Sequence, residues 1–307
     1  MTLTGAADCS ASRAVTDARR LYRLHASIVV LGALVVGIAV GVAATRFRLD
    51  PGLGGACADL LSRHDVLASG CLALLALGAV ATTRFSVTFL RLVRAHCRVT
   101  SNLRPVACRD DVVIVEGSRP SAFCAGLLRP RIYVSAGATT ALEPDELASV
   151  IAHERHHAVR RDPLRLVLAA SAASGLFFLP VLRRLLDRYA DLAEFAADDA
   201  ACETPDRRRA LAAALLVFDD AGAGVAPQRV DRLCGSGQGV DLPLTPLFWA
   251  AVAMTGLAGA TAAVAMGAAR GSVAVLVVAP HAVVGLALAM TPILLIGALR
   301  HRTVRAA

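Results

Sequence analysis

The sequence predicts a mainly α-helical integral membrane protein, with about four transmembrane helices and a cytoplasmic α+β domain. The first observation is composition: the 307 residues are 56% hydrophobic, with a mean hydropathy of +0.60, well above an ordinary soluble domain. The second is that the apolar residues are concentrated in long uncharged runs, which is typical of membrane spans. The third is a water-facing stretch between these runs, where strand-like segments precede amphipathic helices.

The charge pattern also favours a membrane protein. The formal net charge is +8, and all 32 basic residues are arginines that cluster beside the apolar runs. Such clusters follow the positive-inside rule. Aromatic residues are only 4% of the chain, so stacking platforms for nucleic acid are scarce and no direct nucleic-acid binding is expected. The 8 cysteines include no Cys-x-x-Cys pair, which argues against a thiolate zinc site or a disulfide framework.

Residues 1–83 are predicted to form an N-terminal transmembrane hairpin. Its spans are residues 26–44 and 66–83, joined by a polar loop outside the membrane. Arginines flank the hairpin at both ends, which places both ends in the cytoplasm. A cleaved signal peptide is the alternative interpretation of the first span, but the polar region before it is long and further spans follow.

Residues 241–307 are predicted to form a second hairpin, with spans at about 247–269 and 272–299. Arginines after the last span place the C-terminus in the cytoplasm as well. The absence of lysine and the abundance of alanine suggest a GC-rich bacterial genome. The expected location is therefore the bacterial plasma membrane, crossed several times, and the lipid bilayer is an expected partner.

The middle region, residues 84–240, is predicted to be the cytoplasmic domain. Val112–Val115 is a strand candidate, and residues 129–134 form a second, whose proline suggests a sheet edge. Helical periodicity then extends over 181–203 and again over 207–218.

The motif His153-Glu154-Arg155-His156-His157 is the centre of this domain. Pro144 suits the first turn of a helix that continues through the motif. On that helix His153 and His157 project from one face, one turn apart, with Glu154 beside them. This is the zinc arrangement in which two imidazoles bind the metal and a carboxylate takes a proton from water. His156 could approach a metal too, but the i, i+4 spacing gives it a supporting or exposed role. Two ordinary surface histidines are the alternative.

A third ligand is expected because a catalytic zinc site uses three protein ligands and leaves one position open. Glu194 lies on a downstream helix, and Asp198 follows one turn later on the same face. An aspartate that holds the ring N–H of a ligating histidine would support the site. A solvated acidic helix face is the alternative. Asp162 either caps a turn or orients a histidine, and Tyr189 is expected to pack in the core.

Four motifs occur in the order found in a known family: residues 122–135, 145–157, 161–164 and 194–198. In this order they resemble the BlaR/MecR-type membrane zinc metallopeptidases, which are gluzincins related to the beta-lactam sensor-transducers. The resemblance covers about residues 65–240. It implies one catalytic Zn²⁺ bound by His153, His157 and Glu194, with Glu154 as the base and Asp198 as the residue that supports a ligand.

The resemblance also implies a function. The chain would cleave a cytoplasmic protein in signal transduction, either a transcriptional repressor or the protease itself. The substrate peptide would pair with an edge strand near the site, which the sequence places at Ile132, Tyr133 and Val134. The chain has no Ser-x-x-Lys sensor motif in a folded outer domain and only eight residues after Leu299, so we expect a member without the penicillin-binding sensor.

The site constrains the segment between its two halves. If the three ligands bind one metal, residues 164–180 cannot cross the membrane once and are too short to cross twice. We therefore expect a re-entrant or surface-lying segment that turns near Gly175 and Pro180.

Two other functions remain open. One is a quality-control protease of the HtpX type, but such a protease has two full spans between the zinc motif and the glutamate, and residues 164–180 are too short for them. The third hypothesis is a non-catalytic membrane transducer or scaffold with a structural metal site.

Overall fold

The structure, a computed structural model, describes residues 4–49, 66–202, 204–222 and 244–266. The predicted span at 272–299, the end of the span before it and most of the loop after the first span lie outside the described residues.

Three of the helices are long and apolar enough to cross a membrane. They are α1 (Thr4–Leu49), α2 (Val66–Asn102) and α8 (Leu244–Met266). Their candidate spans are Val15–Thr45, Ser69–Asn102 and Leu244–Met266. Helices α1 and α2 extend well beyond the predicted spans because no proline interrupts the arginine- and alanine-containing segments that flank the apolar runs. Each ends shortly before a proline.

A small mixed sheet follows α2. Its strands are β1 (Pro105–Arg109), β2 (Val112–Val115), β3 (Ala122–Ala125) and β4 (Arg131–Ser135), in the order β1-β2-β4-β3. β2 and β4 are parallel, whereas β1 with β2 and β3 with β4 are antiparallel. The predicted strand Val112–Val115 is confirmed.

The prediction that Ile132, Tyr133 and Val134 lie at a sheet edge is wrong. These residues belong to β4, where each faces a residue of β2 on one side and a residue of β3 on the other. A proline within a strand usually marks a sheet edge, because it has no N–H to donate to a neighbouring strand. Pro130 lies just before β4 begins, so β4 loses no hydrogen bond to its neighbours and can be central. β4 therefore offers no free edge to a substrate. The edges of this sheet are β1 and β3.

The described residues form five shorter helices as well: α3 (Ala136–Ala141), α4 (Pro144–Arg160), α5 (Asp162–Gly175), α6 (Val181–Ala201) and α7 (Pro205–Asp220). α4 is the predicted helix of the histidine motif. Pro144 stands in its first turn, and Glu143 and Glu146 form a reciprocal capping box there. The helix ends at Arg161, which adopts a left-handed conformation with φ 54°.

The predicted turn between the two halves of the site is confirmed. α5 has 14 residues and ends at Gly175, and α6 begins directly after Pro180. A helix of 14 residues is too short for a crossing, which takes about 20. Gly175 permits a close approach to α2, since a Cβ there would lie 2.9 Å from the Cβ of Phe85. Placement of α5 on the membrane surface stays a prediction.

The described residues fall into two compact units. One lies within Met1–Tyr22, Phe89–Ala169 and Leu186–Asp241, and the other lies within Arg23–Thr88, Ala170–Leu185 and Leu242–Ala307. In the first unit α4 packs between the sheet and α7. The core at this junction contains Ile132, Val134, Ala138, Leu142, Val150, Ala201, Cys202, Leu211, Ala214, Leu215 and Phe218. This packing fixes α4, and with it the histidine motif, against the sheet.

Candidate metal centre

Three side chains converge where α4 meets α6. His153 and His157 lie one turn apart on α4, and both are buried. The Nε2 atoms of the two rings are 3.2 Å apart. Glu194 of α6 places one carboxylate oxygen 3.5 Å from Nε2 of His153 and the other 3.4 Å from Nε2 of His157. The structure thus brings together the three residues that were expected as ligands. Each offers one potential metal-binding atom, and these three atoms lie within 4.8 Å of one another.

Two buried carboxylates contact the opposite nitrogens of the same rings. Nδ1 of His153 lies 2.9 Å from Oδ1 of Asp198, and Nδ1 of His157 lies 3.0 Å from Oδ2 of Asp162. A carboxylate at Nδ1 fixes the ring proton on that nitrogen and leaves a lone pair on Nε2. Asp162, whose role the sequence left open, therefore orients a histidine, and Asp198 contacts the other one.

This arrangement fits a metal ion. With a carboxylate at each Nδ1, the two Nε2 atoms and the carboxylate of Glu194 point at one another, so a shared proton or a metal cation must lie between them. A cation held by all three groups would take the place of that proton. Imidazole nitrogen and carboxylate oxygen are the usual ligands of a catalytic zinc ion, and carboxylates behind the rings are the usual support for ligating histidines.

The electrostatics of the centre favour positive charge. Burial opposes charge on His153, but its contacts with Asp198 and Glu194 outweigh burial and raise its pKa to about 9. Burial alone would raise the pKa of Asp162, yet the hydrogen bonds from His157 and Tyr189 outweigh it and lower that pKa. Asp162 is therefore an anion at neutral pH, and the surroundings of the ligand cluster carry several negative charges.

Tyr189 of α6 supports Asp162. It is fully buried, as expected of a core residue, but its hydroxyl also donates a hydrogen bond of 2.8 Å to Oδ1 of Asp162. Burial and then the charge of Asp162 raise the pKa of Tyr189 to about 12, so the hydroxyl stays protonated and remains a donor. Sequence reasoning did not find this role, because the partner lies on another helix.

A cavity of about 570 Å³ opens onto the cluster. Glu154, which is partly buried, lies in its wall together with all three ligand candidates. Phe123 and Cys124 of the edge strand β3 line the same cavity. Burial, followed by the negative charges of Glu154 and Asp162, raises the pKa of Cys124 to about 12, so its thiol is not a nucleophile at neutral pH.

Two further histidines lie near the cluster but outside it. His96 of α2 lines the cavity, and its Nε2 is buried without a hydrogen-bond partner in the described part of the chain. No motif pointed to His96, since it is remote in sequence and lies in an arginine-rich segment. His156 is not among the clustered ligands. Burial and then Arg160 lower its pKa to about 4, so it is neutral at physiological pH.

The chain is similar to one protein family and, weakly, to a solved structure. A family model described as BlaR1 peptidase M56 matches residues 65–228. Among curated proteins, none matches the sequence. Among solved structures, the crystal structure of Ste24p from S. mikatae is similar with 14% identity and a TM-score of 0.34, over 54% of this chain and 56% of that chain. The chain thus spans little more than half of that structure.

The family match extends over more than half of the 307 residues. It includes the sheet, the histidine helix α4 and the helix α6 that bears Glu194. The chain belongs to the BlaR1 peptidase M56 family.

Proposed function

We propose that the protein is a zinc metalloendopeptidase that cleaves a cytoplasmic protein at the membrane. The observation that carries this proposal is the convergence of Nε2 of His153, Nε2 of His157 and the carboxylate of Glu194 beside a cavity that contains Glu154. The buried carboxylates at the two Nδ1 atoms add the orientation that a catalytic site needs.

His153, His157 and Glu194 would hold the ion beside the cavity. Zinc in such a site lowers the pKa of water toward neutrality and polarises the carbonyl group of the scissile bond. Asp198 and Asp162 keep both imidazoles in the tautomer that offers Nε2. The pocket is preorganised, because these carboxylates are themselves buried.

Glu154 is the proposed general base. Its carboxylate borders the cavity next to the ligand cluster, where it accepts a proton from the attacking water and passes it to the nitrogen of the leaving amine. The neighbouring thiol of Cys124 stays protonated because of its raised pKa, so it does not compete as a nucleophile.

The substrate peptide is proposed to bind as an added strand on β3. β4, the strand favoured by the sequence, is paired on both sides, whereas β3 pairs only with β4 among the described residues. Ala122, Phe123 and Cys124 of β3 line the cavity, so a peptide paired with this edge would pass beside Glu154. Backbone hydrogen bonds would give affinity, and alternate side chains would enter the cavity.

For the cellular context we propose the bacterial plasma membrane, with both termini and the active site on the cytoplasmic side. Arginine clusters flank the predicted spans, in agreement with the positive-inside rule. A cytoplasmic transcriptional repressor, or the protease itself, is the proposed substrate. We further propose that a fourth span follows α8 and that α5 lies at the cytoplasmic face of the bilayer.

The test compares Glu154→Gln with Glu194→Gln in the full chain purified in detergent. Metal content is measured by elemental analysis. Cleavage is measured with internally quenched peptides, a repressor encoded near this gene, and the protease itself. Glu154→Gln should keep the zinc and lose cleavage, whereas Glu194→Gln should lose both. Wild-type protein that binds zinc but cleaves nothing would support the non-catalytic transducer instead. Loss of zinc in Glu154→Gln would contradict its role as the base.

A further inference from the structure

Tyr22 of helix α1 contacts the residues that support the metal centre. Its ring centroid lies 5.1 Å from that of Tyr189, with an angle of 45° between the rings. The guanidinium of Arg165, on α5, lies 5.2 Å from the centre of the Tyr22 ring. Such separations are those of attractive aromatic pairs and cation–π contacts. Tyr22 therefore contacts α5 and α6 at once.

The contacts continue from Tyr22 to a ligand candidate. Tyr189 donates its hydroxyl to Oδ1 of Asp162 at 2.8 Å, and Arg165 lies 3.8 Å from the same oxygen. The other oxygen of Asp162 faces Nδ1 of His157 at 3.0 Å. Oδ1 of Asp162 thus faces the two residues that Tyr22 contacts, together with Arg160 at 3.6 Å, and Oδ2 orients His157.

Asp162 could not orient His157 equally well without these partners. A carboxylate has rotational freedom about its side-chain bonds, and the direction of Oδ2 depends on where Oδ1 is held. Tyr189 provides a neutral donor with a rigid ring, and its raised pKa of about 12 keeps the proton on its oxygen. The Tyr22 ring limits where the Tyr189 ring can move.

We propose that Tyr189 and Tyr22 are positioning residues for the metal ligand His157. Tyr189 acts through Asp162, and Tyr22 acts through Tyr189. The inference rests on the proposed metal site and adds residues that none of the motifs contains. α1 is one continuous helix, and its candidate membrane span, Val15–Thr45, includes Tyr22. A rotation or axial shift of α1 would move the Tyr22 ring and so alter the metal affinity.

The test measures Zn²⁺ affinity by competition with a chelator in four full-length variants. Tyr189→Phe removes only the hydroxyl and should weaken Zn²⁺ binding about tenfold, the lower range seen when the partner of a ligand is lost. Tyr22→Leu removes the ring and should weaken binding by a smaller factor. Tyr22→Phe keeps the ring and is the matched control, with wild-type affinity expected. The double variant Tyr22→Leu/Tyr189→Phe should bind Zn²⁺ like Tyr189→Phe alone, because residues that act in series are not additive.

Two readouts separate positioning from general support of the fold. The visible absorption of the Co²⁺-loaded protein reports ligand geometry and should change in Tyr189→Phe and Tyr22→Leu but not in Tyr22→Phe. The gain in melting temperature on adding Zn²⁺ should be smaller in Tyr189→Phe and Tyr22→Leu than in the wild type. A purely structural role would instead lower the melting temperatures with and without Zn²⁺ by the same amount and leave the gain unchanged.

Each result decides between the proposals. Wild-type affinity and an unchanged Co²⁺ spectrum in Tyr189→Phe would overturn the positioning role while leaving the proposed peptidase intact. Additive effects in the double variant would overturn the route from Tyr22 through Tyr189. A wild-type protein that binds no Zn²⁺ would overturn both this inference and the proposed function.

Discussion

Asp162→Asn is the substitution that tests the metal centre most directly. Asp162 is only 1% exposed, and it accepts hydrogen bonds from Nδ1 of His157 at 3.0 Å and from the Tyr189 hydroxyl at 2.8 Å. Two guanidinium groups face Oδ1, that of Arg160 at 3.6 Å and that of Arg165 at 3.8 Å. Asparagine has nearly the same shape but carries no charge and has one acceptor oxygen instead of two.

The expected effect has two parts. If the amide oxygen keeps its bond to His157, the amide NH₂ faces the Tyr189 hydroxyl and both cations. Arg160 is buried with three nitrogens that have no hydrogen-bond partner among the described residues. Leaving this cation without its carboxylate should destabilise the fold by about 3 kcal/mol. The weaker hold on His157 should reduce Zn²⁺ affinity by about tenfold or more.

Both parts can be measured on the same protein. Chelator competition gives the Zn²⁺ affinity, and thermal unfolding in detergent gives stability without added metal. Asp198→Asn is the comparison, because it removes the carboxylate behind His153 and should lower Zn²⁺ affinity similarly. A Zn²⁺ affinity of Asp162→Asn equal to that of the wild type would refute the view that this carboxylate orients a ligand.

Three further predictions concern the scaffold and are measured by thermal unfolding. Arg155 holds Asp111 through two bonds of 2.8 Å and lowers its pKa from the usual 3.8. Asp111→Asn should therefore cost about 0.5 kcal/mol above pH 4, and this difference from wild type should be lost as the pH falls through the lowered pKa and the wild-type carboxyl is protonated. A difference that does not shrink on acidification from pH 7 to well below 3.8 would contradict this. Ser135→Ala removes a buried hydroxyl that accepts two backbone N–H groups and donates to a carbonyl, so it should cost about 2 kcal/mol. Gly175→Ala puts a Cβ within 2.9 Å of a phenylalanine Cβ on α2 and should cost about 2 kcal/mol. Gly256→Ala, whose Cβ would meet nothing within 4 Å among the described residues, should be nearly neutral, and equal effects of the two substitutions would refute the clash.

Local patterns accounted for much of the secondary structure. The helix α4 was predictable because Pro144 and the acidic residues after it fix its start, and its apolar positions recur at helical spacing. Val112–Val115 was predictable as a run of β-branched residues. β1 and β3 were not predicted. Every residue of β1 is exposed, and β3, with the sequence Ala-Phe-Cys-Ala, contains no β-branched residue, so neither shows the pattern that marks a strand.

Strand order could not be obtained from sequence. Pro130 suggested an edge, but whether a strand is central depends on hydrogen bonds with segments elsewhere in the chain. For the same reason the candidate substrate strand moved from β4 to β3. The roles of Asp162 and Tyr189 also depend on contacts between helices. Asp162 lies beside Pro163 in a plausible turn, and only the packing of α6 shows that one of its oxygens receives the Tyr189 hydroxyl.

The sequence by itself determined which residue types lie where along each helix. Periodicity placed His153 and His157 on one face of α4, and hydropathy located the candidate spans. Only the tertiary structure decided that Glu194 reaches both Nε2 atoms within 3.5 Å, that Asp162 and Asp198 hold the opposite nitrogens, and that α1 contributes Tyr22 behind them. The physical reason is that spacing fixes directions within one helix, whereas a metal site needs distances between helices, and these are set by how the whole core packs.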